Sequence, residues 1–251
     1  MPETVFGIDI GGSGVKGAPV DVEAGALLVP KRYRIPTPQP STPDAVLDVA
    51  AEIAAHFDWH GPIGCAVPAV VQDGIARSAA NIDPSWIGTD ARSKLQERTG
   101  CDVVVLNDAD AAGIAEMRFG AGRGVAGVVL LLTLGTGIGS ALFVDGKLVP
   151  NTELGHLELD GDEAEHQAAA RLVEEEDMDL EPWAQRLDRV LGHMEHLFTP
   201  NLIILGGGIS KRAGEFLHLL HTSASLVPAT MRNQAGIIGA AMAAHETFRE
   251  G

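Results

Sequence analysis

The strongest constraint on the fold is a pattern that occurs twice, in which a glycine-rich turn joins two apolar strands. An apolar run at residues 5–10 leads into a turn at residues 11–17, and a run at residues 128–134 leads into a turn at residues 135–140. The pattern predicts a β-hairpin whose glycines let backbone N–H groups approach a phosphate. Two copies in one chain predict a duplicated architecture.

The first turn admits other interpretations. Gly12, Gly14 and Gly17 satisfy the G-x-G-x-x-G pattern of dinucleotide-binding proteins. That pattern requires a helix after the turn, whereas Pro19 and Gly25 follow here among residues at strand-like spacing. A phosphate-binding hairpin is therefore the better prediction, and a hairpin with a purely structural role remains open.

A third apolar run, at residues 103–106, stops on Asn107 and Asp108 before an alanine-rich segment. This arrangement predicts a buried strand that delivers polar side chains to the carboxyl edge of a sheet, where ligands of α/β proteins bind. Asp108 has two possible roles, because an acid at a helix N-terminus can cap the helix as well as act in catalysis.

Strand and helix patterns alternate along the rest of the chain, which predicts the α/β class. Helices are predicted at residues 43–57 (capped by Thr42), from Thr89 to Gly100, at 108–119, at 162–177, from Pro182 onward (core residues Trp183, Leu187, Val190, Leu191, Met194 and Leu197) and at 237–248. D-G turns at residues 73–74 and 145–146 predict two further hairpins. We expect a smaller domain at residues 1–107 and a larger one at 108–251, whose last helix, about 237–251, packs back on the smaller domain.

The charge and cysteine content exclude several classes of protein. A net charge of −16 argues against a general binder of nucleic acid or of membrane surfaces. Two cysteines, Cys65 and Cys101, are too few for a disulfide framework or a zinc cluster, which favours a reducing cytoplasm. The chain enters a strand almost at once and contains no long apolar run, so we expect neither a signal peptide nor a membrane span.

Five ordered motifs then resemble those of one family. The segments at residues 9–17, 106–110, 133–142, 153–156 and 205–210 resemble the ROK family of sugar kinases and repressors, across essentially the whole chain. The resemblance implies the actin-like ATPase (ribonuclease H-like) fold, with two α/β domains and a cleft between them. Within the family, the segment at residues 81–90 resembles that of the polyphosphate-dependent glucokinases, and the absence of the zinc-motif cysteines is a further resemblance to them. It therefore implies transfer of a phosphoryl group to the 6-hydroxyl of glucose from inorganic polyphosphate, and from ATP as well.

The resemblance also implies roles for individual residues. Asp108 would be the general base. The residues that would bind the sugar are Asn107, Asp108, Glu153, His156, Glu165 and Asn81. Those that would bind the donor phosphates are Asp9, Gly11, Gly12, Ser13, Gly14, Lys16, Thr133, Gly135, Thr136 and Gly137, with Gly206, Gly207 and Gly208 on the nucleotide side. Asp9 would position Mg²⁺ mainly through water molecules.

One departure from the family pattern concerns zinc. Family members carry a cysteine-rich zinc motif shortly after the Gly-His pair, whereas residues 160–165 here contain no cysteine. We therefore expect no zinc, with His156 keeping its sugar contact.

Alternatives within and beyond the kinases stay open. An ATP-only glucokinase or a glucomannokinase is the nearest alternative. A sugar-sensing repressor is more distant, because only four residues precede the first strand and a helix-turn-helix does not fit there. A polyphosphate channel would need basic residues, for which the candidates are Lys16, Lys31, Arg32, Arg34, Lys94, Arg118, Arg123, Lys211 and Arg212. By resemblance we expect a homodimer.

Overall fold

The structure is a computed structural model that describes residues 4–79 and 81–249. These residues form two compact units. The first comprises the chain up to Ala115 together with the segment from Gln234 onward, and the second is Glu116–Asn233. Each unit is built on one principal sheet, so the chain is α/β.

Short strands and eight helices make up the described chain. The strands are β1 (Thr4–Gly11), β2 (Gly14–Asp21), β3 (Ala26–Leu27), β4 (Tyr33–Ile35), β5 (Ile63–Val67), β6 (Val71–Gln72), β7 (Ile75–Ala76), β8 (Val103–Asn107), β9 (Val128–Leu134), β10 (Ile138–Val144), β11 (Lys147–Val149), β12 (Glu158–Leu159), β13 (Asp162–Glu163), β14 (Leu202–Gly206) and β15 (Ser225–Pro228). The α-helices are α1 (Pro43–His56), α2 (Ala91–Thr99), α3 (Asp108–Phe119), α4 (Ala164–Ala168), α5 (Arg171–Glu175), α6 (Leu180–Phe198), α7 (Ala213–Phe216) and α8 (Ala235–Arg249).

The sheet of the first unit has the strand order β3-β2-β1-β5-β8, and β4 also pairs with β2. Strands β1 and β2 form an antiparallel hairpin. This confirms the predicted hairpin, and the alternative of a dinucleotide-binding turn followed by a helix is wrong. Strands β1, β5 and β8 are parallel, so their carboxyl ends lie at one edge of the sheet. The first glycine-rich turn and Asp108 both follow strands that end at this edge.

Helix α8 belongs to the first unit although it closes the chain. A Cβ added to Gly239 would collide with the carbonyl oxygen of Ala111, so only glycine allows the backbones of α8 and α3 to approach this closely. The same contact explains why the boundary between the units falls after Ala115 instead of at residue 107, as predicted, because the first two turns of α3 pack within the first unit. With α8 included, the first unit is not the smaller one.

The second unit has a sheet of strand order β11-β10-β9-β14-β15. Strands β9 and β10 form the second predicted hairpin, and β9, β14 and β15 are parallel. Helix α6 covers this sheet with Trp183, Leu187 and Leu191, all fully buried. Leu197 was predicted to be a core residue, but it is 51% exposed and lies in the last turn of α6, one residue before its end.

Two local predictions need correction. Residues 162–177 do not form one helix, because Asp162 and Glu163 pair as β13 with β12 and the remainder divides into α4 and α5. Helix α2 is capped by Asp90, whose carboxylate accepts a hydrogen bond from the N–H of Ser93, and not by Thr89. Over the ranges that the structure describes, no helix is both long and apolar enough to cross a membrane.

Candidate active site

The first glycine-rich turn is held by side chains from the segment that follows it. Gly11 pairs with Gly14 where β1 passes into β2. The hydroxyl of Thr37 donates to the carbonyl oxygen of Gly11 at 2.5 Å, and Nη2 of Arg34 donates to that of Ser13 at 2.6 Å. These bonds fix the orientation of the peptide groups in the turn. No role for Thr37 was predicted from the sequence.

A row of charged side chains crosses the sheet next to this turn. Asp9 lies opposite Lys16, and Lys16 lies opposite Arg34, in directly paired positions of β1, β2 and β4. Directly opposite residues of antiparallel strands project from the same face of the sheet. Nζ of Lys16 is 3.1 Å from Oδ2 of Asp9, and both side chains are mostly buried. The first turn therefore has one acid and two cations beside it.

Asp9 also lies against the beginning of helix α8. A Cβ added to Gly236 would be 2.9 Å from the carboxyl carbon of Asp9. Gly236 is the second residue of α8, so the carboxylate faces the end of the helix that carries a partial positive charge. Lys16 and this helix end both place positive charge beside the carboxylate of Asp9.

Asn81 lies beside the same turn. Its carbonyl oxygen is 3.7 Å from where a Cβ on Gly12 would be. The following loop is anchored by Trp86, which is fully buried and donates from Nε1 to the carbonyl oxygen of Ser41 at 2.9 Å. The N–H of Asp83 donates to the hydroxyl of Ser41 at 3.1 Å. The motif at residues 81–90 thus holds Asn81 next to the first glycine-rich turn.

The structure shows which of Asn107 and Asp108 caps helix α3. Oδ1 of Asn107 accepts hydrogen bonds from the N–H groups of Ala109 at 2.8 Å and Asp110 at 3.1 Å. Asn107 is therefore the cap of α3, and its Nδ2 donates to the carbonyl oxygen of Ala69 at 3.2 Å. Because the cap is supplied by Asn107, the capping interpretation of Asp108 is weakened.

Asp108 is the first residue of α3 and is half-buried. It follows β8, which is separated from β1 by β5 alone, or by about 10 Å at ordinary strand spacing. Its backbone therefore lies at the same sheet edge as the first glycine-rich turn, two strands away.

The second glycine-rich turn, Gly135 to Gly137, joins Leu134 to Ile138. Its brace is Arg171 of α5, whose N–H donates to the carbonyl oxygen of Gly135 at 3.1 Å and whose Nη1 donates to that of Thr136. The Gly135 N–H donates to the carbonyl oxygen of Gly137 at 3.0 Å, so it is engaged within the turn. Amide contacts to a phosphate are therefore expected from Thr136 and Gly137 instead.

The glycines at residues 206–208 adjoin this second turn. Gly206 ends β14 and pairs with Thr133 of β9. A Cβ added to Gly207 would collide with the carbonyl oxygen of Leu134, the last residue before the turn. Within the second unit, the predicted nucleotide-side loop and phosphate turn thus lie at the ends of neighbouring parallel strands.

The loop that carries Glu153 and His156 is fastened to β10. The buried hydroxyl of Ser140 donates to the carbonyl oxygen of Thr152 at 2.5 Å and accepts from the N–H of Leu154 at 2.9 Å. A Cβ added to Gly155 would collide with the carbonyl oxygen of Ile138, so the loop can approach β10 only with glycine there. Ser140 fixes this loop, a role that the sequence did not indicate.

The structure brings Glu153, His156 and Glu165 together and adds Glu163 to them. Nδ1 of His156 is 2.7 Å from Oε2 of Glu163, and Nε2 is 3.8 Å from Oε2 of Glu153. Oε2 of Glu165 accepts from the N–H of Ile138 at 3.2 Å. The hydrogen bond to Glu163 raises the pKa of His156, with the charges of Glu163, Glu165 and Glu153 acting in the same direction.

Burial raises the pKa of Glu153, and the negative charge of Glu165 adds to the effect while His156 opposes it. The cluster therefore contains one carboxyl group, that of Glu153, and one imidazole, that of His156, whose pKa values are both raised. Such a mixture supplies donors and acceptors of hydrogen bonds, as the hydroxyls of a sugar require.

The same cluster is the one place in the described chain where three metal-ligating residues converge. Ligand atoms of His156, Glu163 and Glu165 all lie within 4.8 Å of one another. A structural zinc site uses four ligands, mostly cysteine and histidine. This set has one nitrogen and no thiolate, and both cysteines are buried in the first unit, so these residues do not fit a structural zinc.

Two of the basic residues that could line a polyphosphate channel form ion pairs with acidic residues instead. Lys94 pairs with Asp44 at 2.9 Å, and Arg212 pairs with Glu215 at 2.9 Å. These two are surface ion pairs and lend no support to a channel. Among the candidates, Lys16 and Arg34 lie beside the first glycine-rich turn.

Comparison with known proteins identifies the family. Residues 5–168 match the ROK family, which is more than half of the chain. The chain belongs to the ROK family. This ROK protein is 51% identical to the polyphosphate glucokinase of Mycobacterium tuberculosis (strain CDC 1551 / Oshkosh) over 239 residues, which cover 95% of this chain and 90% of that protein.

Solved structures agree with this assignment. The ROK protein is similar to the inorganic polyphosphate/ATP-glucomannokinase of Arthrobacter sp. strain KM, with a TM-score of 0.93 and 49% identity over 97% of this chain and 99% of that one. It is also similar to a ROK family glucokinase from Streptomyces griseus in complex with glucose and AMPPNP, with a TM-score of 0.82 and 25% identity over 99% and 100% of the two chains. The predicted family and the actin-like ATPase fold are confirmed.

Proposed function

We propose that this ROK protein is a kinase that phosphorylates glucose at the 6-hydroxyl, using inorganic polyphosphate and also ATP as phosphoryl donors. The observation that carries the proposal is the similarity at about 50% identity, over nearly the whole chain, to a polyphosphate glucokinase and to a polyphosphate/ATP-glucomannokinase. The functional residues of the five motifs are also present in the sequence.

Asp108 is the proposed general base. Phosphoryl transfer to an alcohol needs an acceptor for the hydroxyl proton as the oxygen attacks the phosphorus. The capping of α3 by Asn107 supports this role, because Asp108 is not required as the cap. Asn107 contributes to substrate binding mainly by fixing the backbone that carries Asp108.

Glu153, His156 and Glu165 are the proposed ligands of the other sugar hydroxyls, with Asn81 beside the first phosphate turn. Their support is the convergence of a half-buried carboxylate, an imidazole and a second carboxylate in one loop cluster. Hydrogen bonds to hydroxyls in such a setting orient the sugar and distinguish it from sugars of other stereochemistry.

The first phosphate turn is the proposed contact for the charged end of the donor. The amides of residues 11–14 would approach the phosphate oxygens, and Lys16 would contribute a compact positive charge. We add Arg34, because it lies in the same cross-strand row and donates to the turn itself. Thr136 and Gly137 of the second turn would contribute neutral amide contacts, with Thr133 beside them.

Mg²⁺ is the proposed metal. One partly buried carboxylate next to phosphate-binding residues suits Mg²⁺, which keeps several waters and uses few protein ligands. Asp9 would hold the ion, mainly through water molecules. When bound, Mg²⁺ neutralises charge on the donor phosphates. The contribution of the chain is to place the carboxylate of Asp9 beside Lys16 and the first turn of α8.

ATP use is supported by the residues at 206–208, which adjoin the second phosphate turn in the same unit. Use of mannose is a second candidate activity, favoured by the 49% identity to a glucomannokinase. The expected absence of zinc stays a prediction that metal analysis of the purified protein tests. The homodimer also stays a prediction and is tested by light scattering. A cytoplasmic location is supported by two buried thiols that form no disulfide.

The proposal is tested by assaying the purified protein with Mg²⁺ and glucose, using a coupled enzyme that detects glucose 6-phosphate. Separate reactions contain polyphosphate, ATP or neither donor, and a parallel set contains mannose. We expect product with polyphosphate and with ATP. Product with ATP alone would favour the ATP-only glucokinase, and no product with either donor would refute the proposal.

A further inference from the structure

His156 has two ring nitrogens, and the structure assigns a different partner to each. Nδ1 lies 2.7 Å from a carboxylate oxygen of Glu163, whereas Nε2 points toward Glu153. A carboxylate accepts hydrogen bonds, so Nδ1 must carry the hydrogen. The partner of one ring nitrogen thereby decides the state and the direction of the other. The side chain of His156 is 48% exposed, so packing alone does not fix its ring.

Glu163 is itself placed by a small rigid element. Asp160 and Gly161 have φ values of 57° and 86°, which are typical of the two-residue turn that joins β12 to β13. This turn sets the register, in which Leu159 lies opposite Asp162 and Glu158 lies opposite Glu163. The hairpin therefore presents one carboxylate, that of Glu163, to the Nδ1 of His156.

The open side of this hairpin is tied to the helix that follows. Nε2 of Gln167 in α4 donates to the carbonyl oxygens of Leu159 at 2.6 Å and Asp162 at 3.0 Å. Helix α4 begins at the residue after Glu163 and carries Glu165 in its first turn. The same short segment thus supplies a sugar-side carboxylate, that of Glu165, and, two positions earlier in the hairpin, the partner of His156.

We propose that Glu163 is a positioning residue that fixes the tautomer and ring orientation of His156, so that Nε2 is presented to the sugar. The proposal rests on the role of His156 in sugar binding given above. In this protein, a carboxylate therefore orients the sugar-binding imidazole. Carboxylates that orient a metal-ligating imidazole typically change metal affinity or activity by about 10- to 100-fold when they are removed, and we expect an effect of the same order here.

Glu158 offers a matched control. It is the cross-strand partner of Glu163, so the Glu158→Gln and Glu163→Gln variants remove equal charge from one hairpin. Glu163→Ala removes the acceptor, whereas Glu163→Gln keeps an amide oxygen that can still accept from Nδ1. We expect Glu163→Ala to raise KM for glucose by roughly 10-fold or more, with KM for the donor unchanged. Glu163→Gln should recover part of the loss, and Glu158→Gln should have no effect.

A spectroscopic measurement separates this inference from the proposed function. With ¹⁵N-labelled histidine, the ring nitrogens of His156 are identified by comparison with His156→Gln. At alkaline pH, where the ring is neutral, we expect the intact protein to show hydrogen on Nδ1 and Glu163→Ala to show the ordinary preference for Nε2. This readout needs neither glucose nor turnover, so it tests the inference even if the protein phosphorylates another substrate.

Two results would overturn the inference. One is an unchanged tautomer in Glu163→Ala. The other is a loss of glucose and donor affinity together, with an equal loss of thermal stability in Glu158→Gln, which would indicate a hairpin of structural importance only. If His156→Gln itself leaves KM for glucose unchanged while glucose is phosphorylated, the proposed role of His156 fails, whatever the tautomer shows.

Discussion

The two glycine-rich hairpins, β1–β2 and β9–β10, share a backbone plan but differ in charge. In each, an arginine from a later element donates to a carbonyl oxygen of the turn, Arg34 in the first and Arg171 in the second. The first hairpin carries the pair Asp9 and Lys16 two positions from its turn, whereas the pair at the corresponding place in the second is Thr133 and Gly139.

This difference in charge indicates that the two copies of the hairpin have become specialised. A turn flanked by charges can handle a polyanion and its metal, since ionised partners give the strongest hydrogen bonds. At the second turn, Nε of Arg171 lies 3.5 Å from Oε2 of Glu175, so this ion pair offsets the positive charge and the turn offers mainly amide dipoles. The same unit carries the proposed sugar-side residues Glu153, His156 and Glu165. We infer that the first unit supplies most of the electrostatic work of phosphoryl transfer and that the second supplies most of the substrate selection.

The largest effect is expected for Asp108→Asn, in the first unit. Loss of the general base should lower kcat by about 10²- to 10⁴-fold, since that is the usual contribution of a positioned base. Glucose affinity, measured by calorimetry, should stay within a few-fold because the amide keeps the size and polarity of the side chain. Full turnover in this variant would remove Asp108 from its proposed role.

Lys16→Ala should have the next largest effect. It removes a cation from the first turn and leaves Asp9 without its ion-pair partner. We expect kcat/KM for polyphosphate to fall by about 10- to 100-fold, the range for one charged hydrogen bond. Lys147→Ala, at an exposed lysine of β11, is the matched control. Equal effects of the two variants would show that only net charge matters.

Arg34→Ala should raise KM for polyphosphate by roughly 10-fold, through loss of one charge-assisted contact. The increase of KM with salt should also become shallower, because one fewer cation faces the polyanion. Lys31→Ala, which removes an exposed cation close to β4, serves as the control. An unchanged salt dependence in Arg34→Ala would show that Arg34 acts only as a brace of the turn.

Arg171→Ala is expected to have a smaller effect, of about 3-fold on KM for the donor, because it removes one side-chain hydrogen bond to Thr136 and keeps the backbone N–H bond to Gly135. The salt dependence of KM should be the same as in the unsubstituted protein. Kinetics at two or more salt concentrations provide the test. A shallower salt dependence would place charge at the second turn and contradict the comparison between the hairpins.

The smallest effect concerns the pH dependence of stability in the second unit. The pKa of His156 is raised in the folded protein, chiefly by Glu163, so the folded state holds the proton more tightly than the unfolded state. This stabilisation is complete below the unfolded value of about 6.5 and is lost as pH rises through the folded pKa.

His156→Gln should therefore lower the melting temperature most at acidic pH and progressively less as pH rises. Melting curves of both proteins from about pH 6 to pH 8.5 measure the difference, which brackets the ordinary range of histidine titration. A difference that is constant across this range would mean that the proton on His156 contributes nothing to folding.

The hairpins and the central strand were predictable from the sequence because apolar runs and glycine or D-G turns report local backbone geometry directly. The Asp73–Gly74 and Asp145–Gly146 turns were recognised in this way, and both pairs have positive φ values. Asp160 and Gly161 carry the same signal, but the acidic, helix-favouring residues around them hid a hairpin of only two residues per strand.

The braces of the site were not predictable, because they depend on contacts between segments distant in the chain. Thr37 lies 26 residues after the carbonyl group it binds, and Arg171 lies 35 residues after its own. The boundary between the units was missed for a related reason. Helix α8 follows the second unit in sequence. It nevertheless belongs to the first unit, where the backbone at Gly239 packs closely against α3.

The most direct test of the central claim is the identity of the product. Uniformly ¹³C-labelled glucose is incubated with the purified protein, Mg²⁺ and polyphosphate, and the reaction is followed by ¹³C and ³¹P NMR. We expect a new phosphoester signal coupled to carbon 6, which should form at least about 100-fold more slowly with Asp108→Asn. A phosphoester at another carbon, or none with polyphosphate present, would contradict the account.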